Sequence, residues 1–393
     1  MLDVPVPCQF WRGGTSRAVL FAEEELFDYD RTQRESIILA ALGSPDPAGR
    51  QVDGLGGGSS SLSKAAIVRP GIPSEDADVS FEFAQVEVSE AVVDFAGNCG
   101  NISAAIGPYA VNSGLVEVSE PVTDVACLSL NTGQRFVSRV PVESGRFNPT
   151  GDYVISGVPG SGSKIDLSYQ SPFGSVNGSV FPTGRTSETV VLSSHRKVTV
   201  SIVDVANPMV FVAGEDMGID VGASPEEIEL KSDELRELEA IRSEVAVRLG
   251  MVNAPADAMT ESPTVPKVAV VARADSYVST EGEVVRTREV DLLIRLISMR
   301  RVHRTLAVTA AMSAAAAAQI SGTVVSRCVQ QAIGNTVKLG HPAGVLSCDA
   351  RVEQLAEGRW VVPEVSVSRT ARLIMNGHVL IPHTRVSGEA RSG

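Results

Sequence analysis

The sequence predicts an α+β protein of two similar lobes, each a curled, mostly antiparallel set of short strands around one central helix. Three observations lead there. The chain has 393 residues, 43% of them hydrophobic and 21% charged, enough length and apolar surface for two cores at about 150–200 residues per domain. Its 35 glycines and its aromatic content of only 5% suit short strands joined by tight turns. Finally, Asn101-Ile-Ser-Ala-Ala-Ile followed by Ser113-Gly-Leu-Val echoes Ala311-Met-Ser-Ala-Ala-Ala followed by Ser321-Gly-Thr-Val. The offsets, 312 − 102 = 210 and 321 − 113 = 208, are those of a duplicated unit. Small residues let such a helix sit close inside a curled sheet. The lobes are expected over residues 1–190 and 191–393, with the last strands free to pack back onto the first lobe.

Taken in order, Val4 to Phe21 alternates and breaks at Arg12-Gly13-Gly14-Thr15-Ser16-Arg17, which reads as strand, glycine turn, strand. Apolar residues at helical spacing over 23–42 predict a helix that stops at Gly43-Ser44-Pro45. A glycine- and serine-dense loop from Asp53 to Lys64 then runs into the apolar strand Ala65–Val68. Phe81–Val88 alternates as a half-buried strand. Val92–Phe95 leads into Gly97-Asn98-Cys99-Gly100-Asn101 and a helix-like stretch. The second half begins near His195 with another strand. One long helix is expected from Ser224 to Leu249, opened by a capping box at Ser224-Pro225-Glu226-Glu227 and striped by Leu235, Leu238, Ile241, Val245 and Leu249. The Ala-rich run Leu306–Ile320 and a last set of strands ending near Ile381 complete the chain.

The charge balance, 34 − 47 = −13, argues against nucleic acid and anionic membranes as partners. A small anionic ligand stays open, because a pocket is governed by its local field. Five scattered cysteines without a C-x-x-C point to a reducing compartment. Nothing in MLDVPVPCQF marks secretion, and the longest apolar stretch is too short to span a bilayer. A cytoplasmic protein is expected.

Two residues stand out for chemistry. Cys99 lies just before a helix-like stretch, where free N–H groups and the helix dipole favour a thiolate and bind anions; the competing reading is a buried structural cysteine. Lys64 closes a loop of four glycines and four serines and enters an apolar strand. Burial there lowers a lysine pKa toward neutrality and makes it a proton exchanger; the alternative is an ordinary strand-edge lysine. The loop fits no phosphate cradle, since Lys64 is followed by Ala65 and the last glycine of G-x-G-x-x-G is missing. Ser61-Leu-Ser-Lys64 matches S-x-x-K but has no K-T-G partner. No G-x-S-x-G occurs, and the five histidines form no H-E-x-x-H, so no metal is expected. Arg12 can clamp a carboxylate, with Gly13, Gly14, Thr15 and Ser16 offering backbone and hydroxyl donors.

Several segments occur together in one order: Phe10-Trp-Arg-Gly-Gly-Thr-Ser-Arg17, Gly43-Ser-Pro-Asp46, the loop ending in Lys64, Gly97-Asn-Cys-Gly-Asn-Ile102, Asn131-Thr-Gly133, Val302-His303 with Ala307-Val-Thr309, and His341-Pro-Ala-Gly344. This combination resembles the 2-methylaconitate cis-trans isomerase (PrpF-like) family, which also includes 3-methylitaconate isomerases, 4-oxalomesaconate tautomerases and aconitate isomerases. The family is similar to diaminopimelate epimerase in fold. The resemblance implies cofactor-free isomerisation of a small unsaturated di- or tricarboxylate by allylic proton transfer. Carried over position by position, it makes Lys64 and Cys99 the acid/base pair. It makes Arg12 to Ser16, Ser63, Asn98, Gly100 and Asn101 carboxylate-holding residues, with His303 and Thr309 contributed by the second lobe.

An amino-acid epimerase of the same fold would need a second thiol. At an offset of 210, Cys99 falls on Thr309, which weighs against that alternative, as the intact Lys64 and Cys99 weigh against a non-catalytic acid binder. Ala310, Ser313 and Ala343 depart from the family pattern and bear on which acid is bound. A homodimer is compatible with all of these readings.

Overall fold

The alternation at the start of the chain does form a hairpin. Strands β1 (Asp3–Gly13) and β2 (Ser16–Ala22) pair antiparallel, with Gly13 opposite Ser16. The computed structural model describes residues 3–95, 97–192, 195–262, 265–298, 301–329 and 334–386. The chain divides into two compact units, Met1–Val154 with Gly160–Leu167 and Arg369–Gly393, and Ile155–Pro159 with Ser168–Ser368. The division thus lies earlier than residue 190. The strand Glu188–Val191 pairs with Lys197–Val205 and so belongs with the second unit.

In the first unit, helix α1 (Arg31–Leu42) lies between β2 and β3 (Lys64–Pro70); β4 (Val79–Val86), the short β5 (Val93–Asp94), helix α2 (Gly100–Asn112), β6 (Val122–Ser129) and β7 (Arg135–Glu143) follow. The C-terminal strand Ala371–Pro382 returns to pair with β1. Across the sheet the order is C-terminal strand, β1, β2, β3, β4, β6, β7, parallel at β2–β3 and β4–β6 and antiparallel elsewhere. Every residue of α2 from Gly100 to Val111 is buried. The helix can lie so close because its residues are small: a Cβ on Gly107 would come 2.4 Å from the Ser138 hydroxyl. On the other sheet face, Ile37, Ile38 and Leu42 of α1 pack with Phe10, Val19, Phe21 and Ile67. Side chains of that size contribute about 1.5–3 kcal/mol each on full burial.

The second unit repeats the plan. Its strands run Glu188–Val191, Lys197–Val205, Asn207–Ala213, Lys267–Arg273, Leu292–Ser298, Thr336–His341 and Gly344–Gln354, parallel at the third and fifth junctions and antiparallel at the others. That is the same sequence of pairings as in the first unit. Helix Val308–Gln319, buried from Val308 to Ala318, occupies the place of α2. The echo in sequence is therefore a real duplication of topology. Helix starts differ by 308 − 100 = 208, so the counterpart of Cys99 is Ala307, not Thr309. Neither carries a thiol.

Two expected helices are shorter than the periodicity suggests. Over 23–42 the chain forms a single 3-10 turn, Glu23–Leu26, before α1 begins, because Asp30 caps the helix anew in a reciprocal box with Gln33. The helix expected from Ser224 divides into Pro225–Glu229 and Ser232–Arg248. The chain leaves helical geometry at Lys231 (ψ 64°), next to Leu230, which is 83% exposed and has no core contact to hold the turn. The capping box at Ser224–Glu227 and the buried stripe Leu235, Leu238, Ile241 and Val245 are as expected. Among the described residues no helix is long and apolar enough to cross a membrane.

Candidate active site

The first unit brings Lys64 and Cys99 together. Lys64 is the first residue of β3 and only 7% exposed. Its approach is rigid. Asp46 accepts hydrogen bonds from the N–H groups of Ala48, Arg50 and Gln51. The Gln51 amide, itself buried, donates to the Ser44 and Ser63 hydroxyls at 2.9 and 2.7 Å and accepts from Gly58 N–H. The glycine- and serine-rich loop is thus stapled from inside, which is why a polar buried glutamine is tolerated there.

Lys64 Nζ donates to Gln85 Oε1 and lies 5.3 Å from the centre of the Phe83 ring. Gln85 pairs with Lys64 across β3 and β4. Its own amide nitrogen donates to the Ser60 and Ser63 carbonyls, both at 3.0 Å. Those two bonds fix which end of the amide faces the lysine.

Cys99 is the N-cap of α2, with extended backbone and no side-chain capping bond. Its N–H donates to Asn98 Oδ1 at 2.7 Å, and its carbonyl accepts from Ser103 N–H at 2.9 Å and from the Ser103 hydroxyl at 3.2 Å. The backbone is held on both sides while the thiol stays uncommitted. Cys8, Cys127, Cys328 and Cys348 are buried and Cys99 is partly exposed. Burial pushes the Cys8 and Cys127 thiols up, and Cys328 up to about 11, which keeps those three protonated and inert. Beyond Cys99 the first amides of α2 point out of the helix end without intrahelical acceptors, a ready anion site.

Electrostatics ties the two residues together. Burial lowers the Lys64 ammonium pKa from the ordinary lysine value, and a negative charge on Cys99 acts in the opposite direction. A desolvated amine beside a thiol at a helix N-terminus can carry a proton in either direction.

The Arg12–Ser16 turn meets the same helix end. A Cβ on Gly13 would come 2.4 Å from the Asn101 carbonyl oxygen, and one on Gly14 (φ +50°) 2.2 Å from Asn101 Oδ1; only glycines fit against α2 here. Asn101 Nδ2 donates to the Thr15 hydroxyl at 3.1 Å, and Asn101 Oδ1 accepts from Arg369 Nε at 3.3 Å. Arg12 Nη1 donates to the Gly14 and Thr370 carbonyls and to the Thr370 hydroxyl at 2.9–3.0 Å. These bonds lock the turn in place, and the Gly14 N–H is committed as well, to the Thr370 carbonyl at 2.9 Å. Ser16 and Ser63 are buried. His303 and Thr309 belong to the second unit: His303 Nδ1 lies 2.9 Å from the Thr305 carbonyl, and Thr309 is in the first turn of the central helix.

The residues that motifs do not mark are Gln85, Phe83 and Gln51. A signal for Gln85 is present all the same: in Phe81-Glu-Phe-Ala-Gln85 the glutamine shares the strand face of two buried phenylalanines. Replacement Gln85→Glu sets a carboxylate against the ammonium, and an opposite charge at that range raises a lysine pKa by about 1–3 units. The limb of the pH–rate profile that reports Lys64 should move to higher pH by that amount. An unmoved limb would show that Gln85 does not tune the lysine.

Comparison with known proteins decides the family. The family model described as "PrpF protein" matches residues 3–382. The chain belongs to the PrpF family. This PrpF-family chain is 38% identical to a 3-methylitaconate isomerase from Eubacterium barkeri over 97% of its own length and 98% of that protein's. It is 33% identical to a 2-methyl-aconitate isomerase from Cupriavidus necator over the same shares. The crystal structure of a methylitaconate-delta-isomerase superimposes with a TM-score of 0.84 at 37% identity, covering all of both chains. The PrpF-family chain is an isomerase, and its fold is the diaminopimelate-epimerase-like α+β fold.

Proposed function

We propose that this enzyme isomerises a small unsaturated di- or tricarboxylate of the 2-methylaconitate or aconitate type, without a cofactor, by moving one proton along the allylic system. The observation that carries the proposal is a buried lysine, Lys64, in the same unit as a partly exposed cysteine, Cys99, that caps the N-terminus of α2. The similarity to isomerases of 2-methylaconitate and methylitaconate supports the substrate class.

The chemistry follows from what the reaction needs. A C–H bond conjugated to a carboxylate is weakly acidic. Its removal therefore requires a base held against it and donors for the charge that spreads onto the carboxylate oxygens as the dienolate forms. One member of the Lys64–Cys99 pair takes the proton from one end of the allylic unit, and the other returns a proton at the far end. The electron pair left at the first carbon becomes the new double bond, the old double bond supplies electrons to the carbon that is protonated, and atoms and charge balance with no oxidant or reductant. Where the same dienolate can rotate before protonation, cis and trans isomers exchange. The α2 amides at Gly100 and Asn101, the turn at Gly13 to Ser16, and Asn98 hold the carboxylates.

The test is a comparison of kcat/KM, followed by proton NMR, over cis- and trans-aconitate, 2-methylaconitate, methylitaconate and oxalomesaconate. Turnover of one aconitate-type acid at least tenfold above the others is expected. A preference for oxalomesaconate would make the enzyme a tautomerase of a ring-cleavage product, and no turnover of any member would overturn the proposal.

A further inference from the structure

The sequence offers Arg12 as a carboxylate clamp, yet Arg12 Nη1 is spent on the Gly14 and Thr370 carbonyls and the Thr370 hydroxyl. A second arginine reaches the same helix end. Arg369 closes the strand Trp360–Arg369 and is the residue at which the chain returns to the first unit. It is only 6% exposed, and its Nε donates to Asn101 Oδ1 at 3.3 Å across 268 residues of chain. Asn101 is the second residue of α2, two positions after Cys99, and is itself buried. Its amide is fixed from both ends, since Nδ2 donates to the Thr15 hydroxyl while Oδ1 accepts from Arg369. The next residue, Thr370, is buried and accepts from Gly14 N–H and Arg12 through its carbonyl. Arg369 and Thr370 are thus anchored side by side, one on the helix start and one on the glycine turn. Because the Asn101 amide is neutral, its bond orients the guanidinium without cancelling the charge.

We infer that Arg369 is a specificity-determining residue, the cation that takes one carboxylate of the substrate while the α2 amides at Gly100 and Asn101 take another. The inference rests on the proposed reaction and narrows its substrate, because a site built this way selects acids with at least two carboxylates. A helix N-terminus supplies only about half an elementary charge, which suits one carboxylate. A second full negative charge needs a full positive one beside it. Lys64 is unsuited to that task, since a group that exchanges protons cannot also be a permanent anchor, and burial lowers its pKa. A guanidinium stays protonated through the reaction, and its fork matches a carboxylate. Buried as it is, Arg369 acts where attraction between charges is least screened. In a chain of net charge −13, an anionic ligand needs such a fixed local cation.

Calorimetric titration of the full chain with tricarballylate, a saturated tricarboxylate with no double bond to move, tests this apart from turnover. Butyrate serves beside it as a probe with a single carboxylate. Arg369→Gln keeps a donor for Asn101 and removes the charge. It should weaken tricarballylate binding by about 30-fold or more, the scale of losing a buried, hydrogen-bonded charge, and butyrate binding by less than about threefold. Arg369→Lys keeps the charge and should bind tricarballylate within about tenfold of the unaltered chain. Tricarballylate binding by Arg369→Gln at the unaltered Kd would overturn the inference. An equal loss for both acids would overturn it too, because that is what a merely structural arginine produces. Where Arg369→Gln loses its cooperative unfolding transition, arginine-selective NMR of the unaltered chain decides. The Arg369 Nε–H resonance, located by its absence in Arg369→Lys, should move when tricarballylate is added, and a resonance unmoved at saturation would overturn the assignment. The proposed reaction fails separately, when the unaltered chain turns over none of the unsaturated acids; turnover by Arg369→Gln at an unaltered KM would remove only this inference.

Discussion

Lys64→Ala and Lys64→Met are expected to lower kcat by about 10³-fold while the protein keeps a cooperative unfolding transition. Positioned acid/base groups contribute about 10²–10⁴-fold to rate, and among the described residues no other amine is held against Gln85 in this way. The fold should tolerate the change because a buried ammonium is itself costly. Methionine keeps the apolar stem against Phe83 and removes only the charge. The sign of the pH dependence follows from burial. With its folded pKa below the unfolded value, Lys64 binds fewer protons in the native state than in the unfolded chain, so its presence makes stability rise with pH between those two values. Lys64→Met should flatten that rise. Steady-state kinetics with the preferred acid and urea melts at several pH values measure both effects; wild-type kcat in Lys64→Met would remove lysine from the mechanism.

Cys99→Ala should cost a similar factor in kcat, and it should also do something a merely structural cysteine would not. The Cys99 charge holds the Lys64 pKa up against desolvation. Without the thiolate, desolvation acts alone and the lysine pKa falls further, shifting its titration to lower pH in an amine-selective NMR experiment. Cys99→Ser keeps the shape and loses the thiolate, and should behave like alanine. Because the two groups act as one unit, the double variant should be hardly worse than either single one. An unchanged lysine titration in Cys99→Ala would show that the two side chains do not sense each other.

Much of this site is legible in the amino-acid sequence, for reasons that differ by residue. Cys99 is marked by its place between Asn98 and Gly100 at the start of a small-residue helix, and the helix is there with Cys99 as its N-cap. Lys64 is marked by the abrupt passage from glycine-serine loop to apolar strand, which is what buries it. The duplication is visible as a short echo because small residues are forced wherever a helix lies inside a curled sheet. Gln85 is only half legible: its alternation with Phe81 and Phe83 puts it on their strand face, but that it meets Lys64 is set by the strand across the ladder. Gln51 is hidden: its bonds join residues 44, 58 and 63, a closure no local pattern announces. Arg12 reads in sequence as a free carboxylate clamp, but its Nη1 is committed to Thr370, 358 residues away along the chain. The break at Lys231 has no signal of its own, because a capping box and an apolar stripe on either side of it both fit one continuous helix.

The central claim is that one proton moves along an allylic carboxylate between Lys64 and Cys99. Proton NMR in D₂O with the preferred acid tests it most directly. The double bond should shift in the wild-type enzyme, with deuterium entering at the carbon that gains the proton. Both the shift and the label should fall by about 10³-fold in Lys64→Met and in Cys99→Ala. Isomerisation at the wild-type rate in either folded variant would contradict the account.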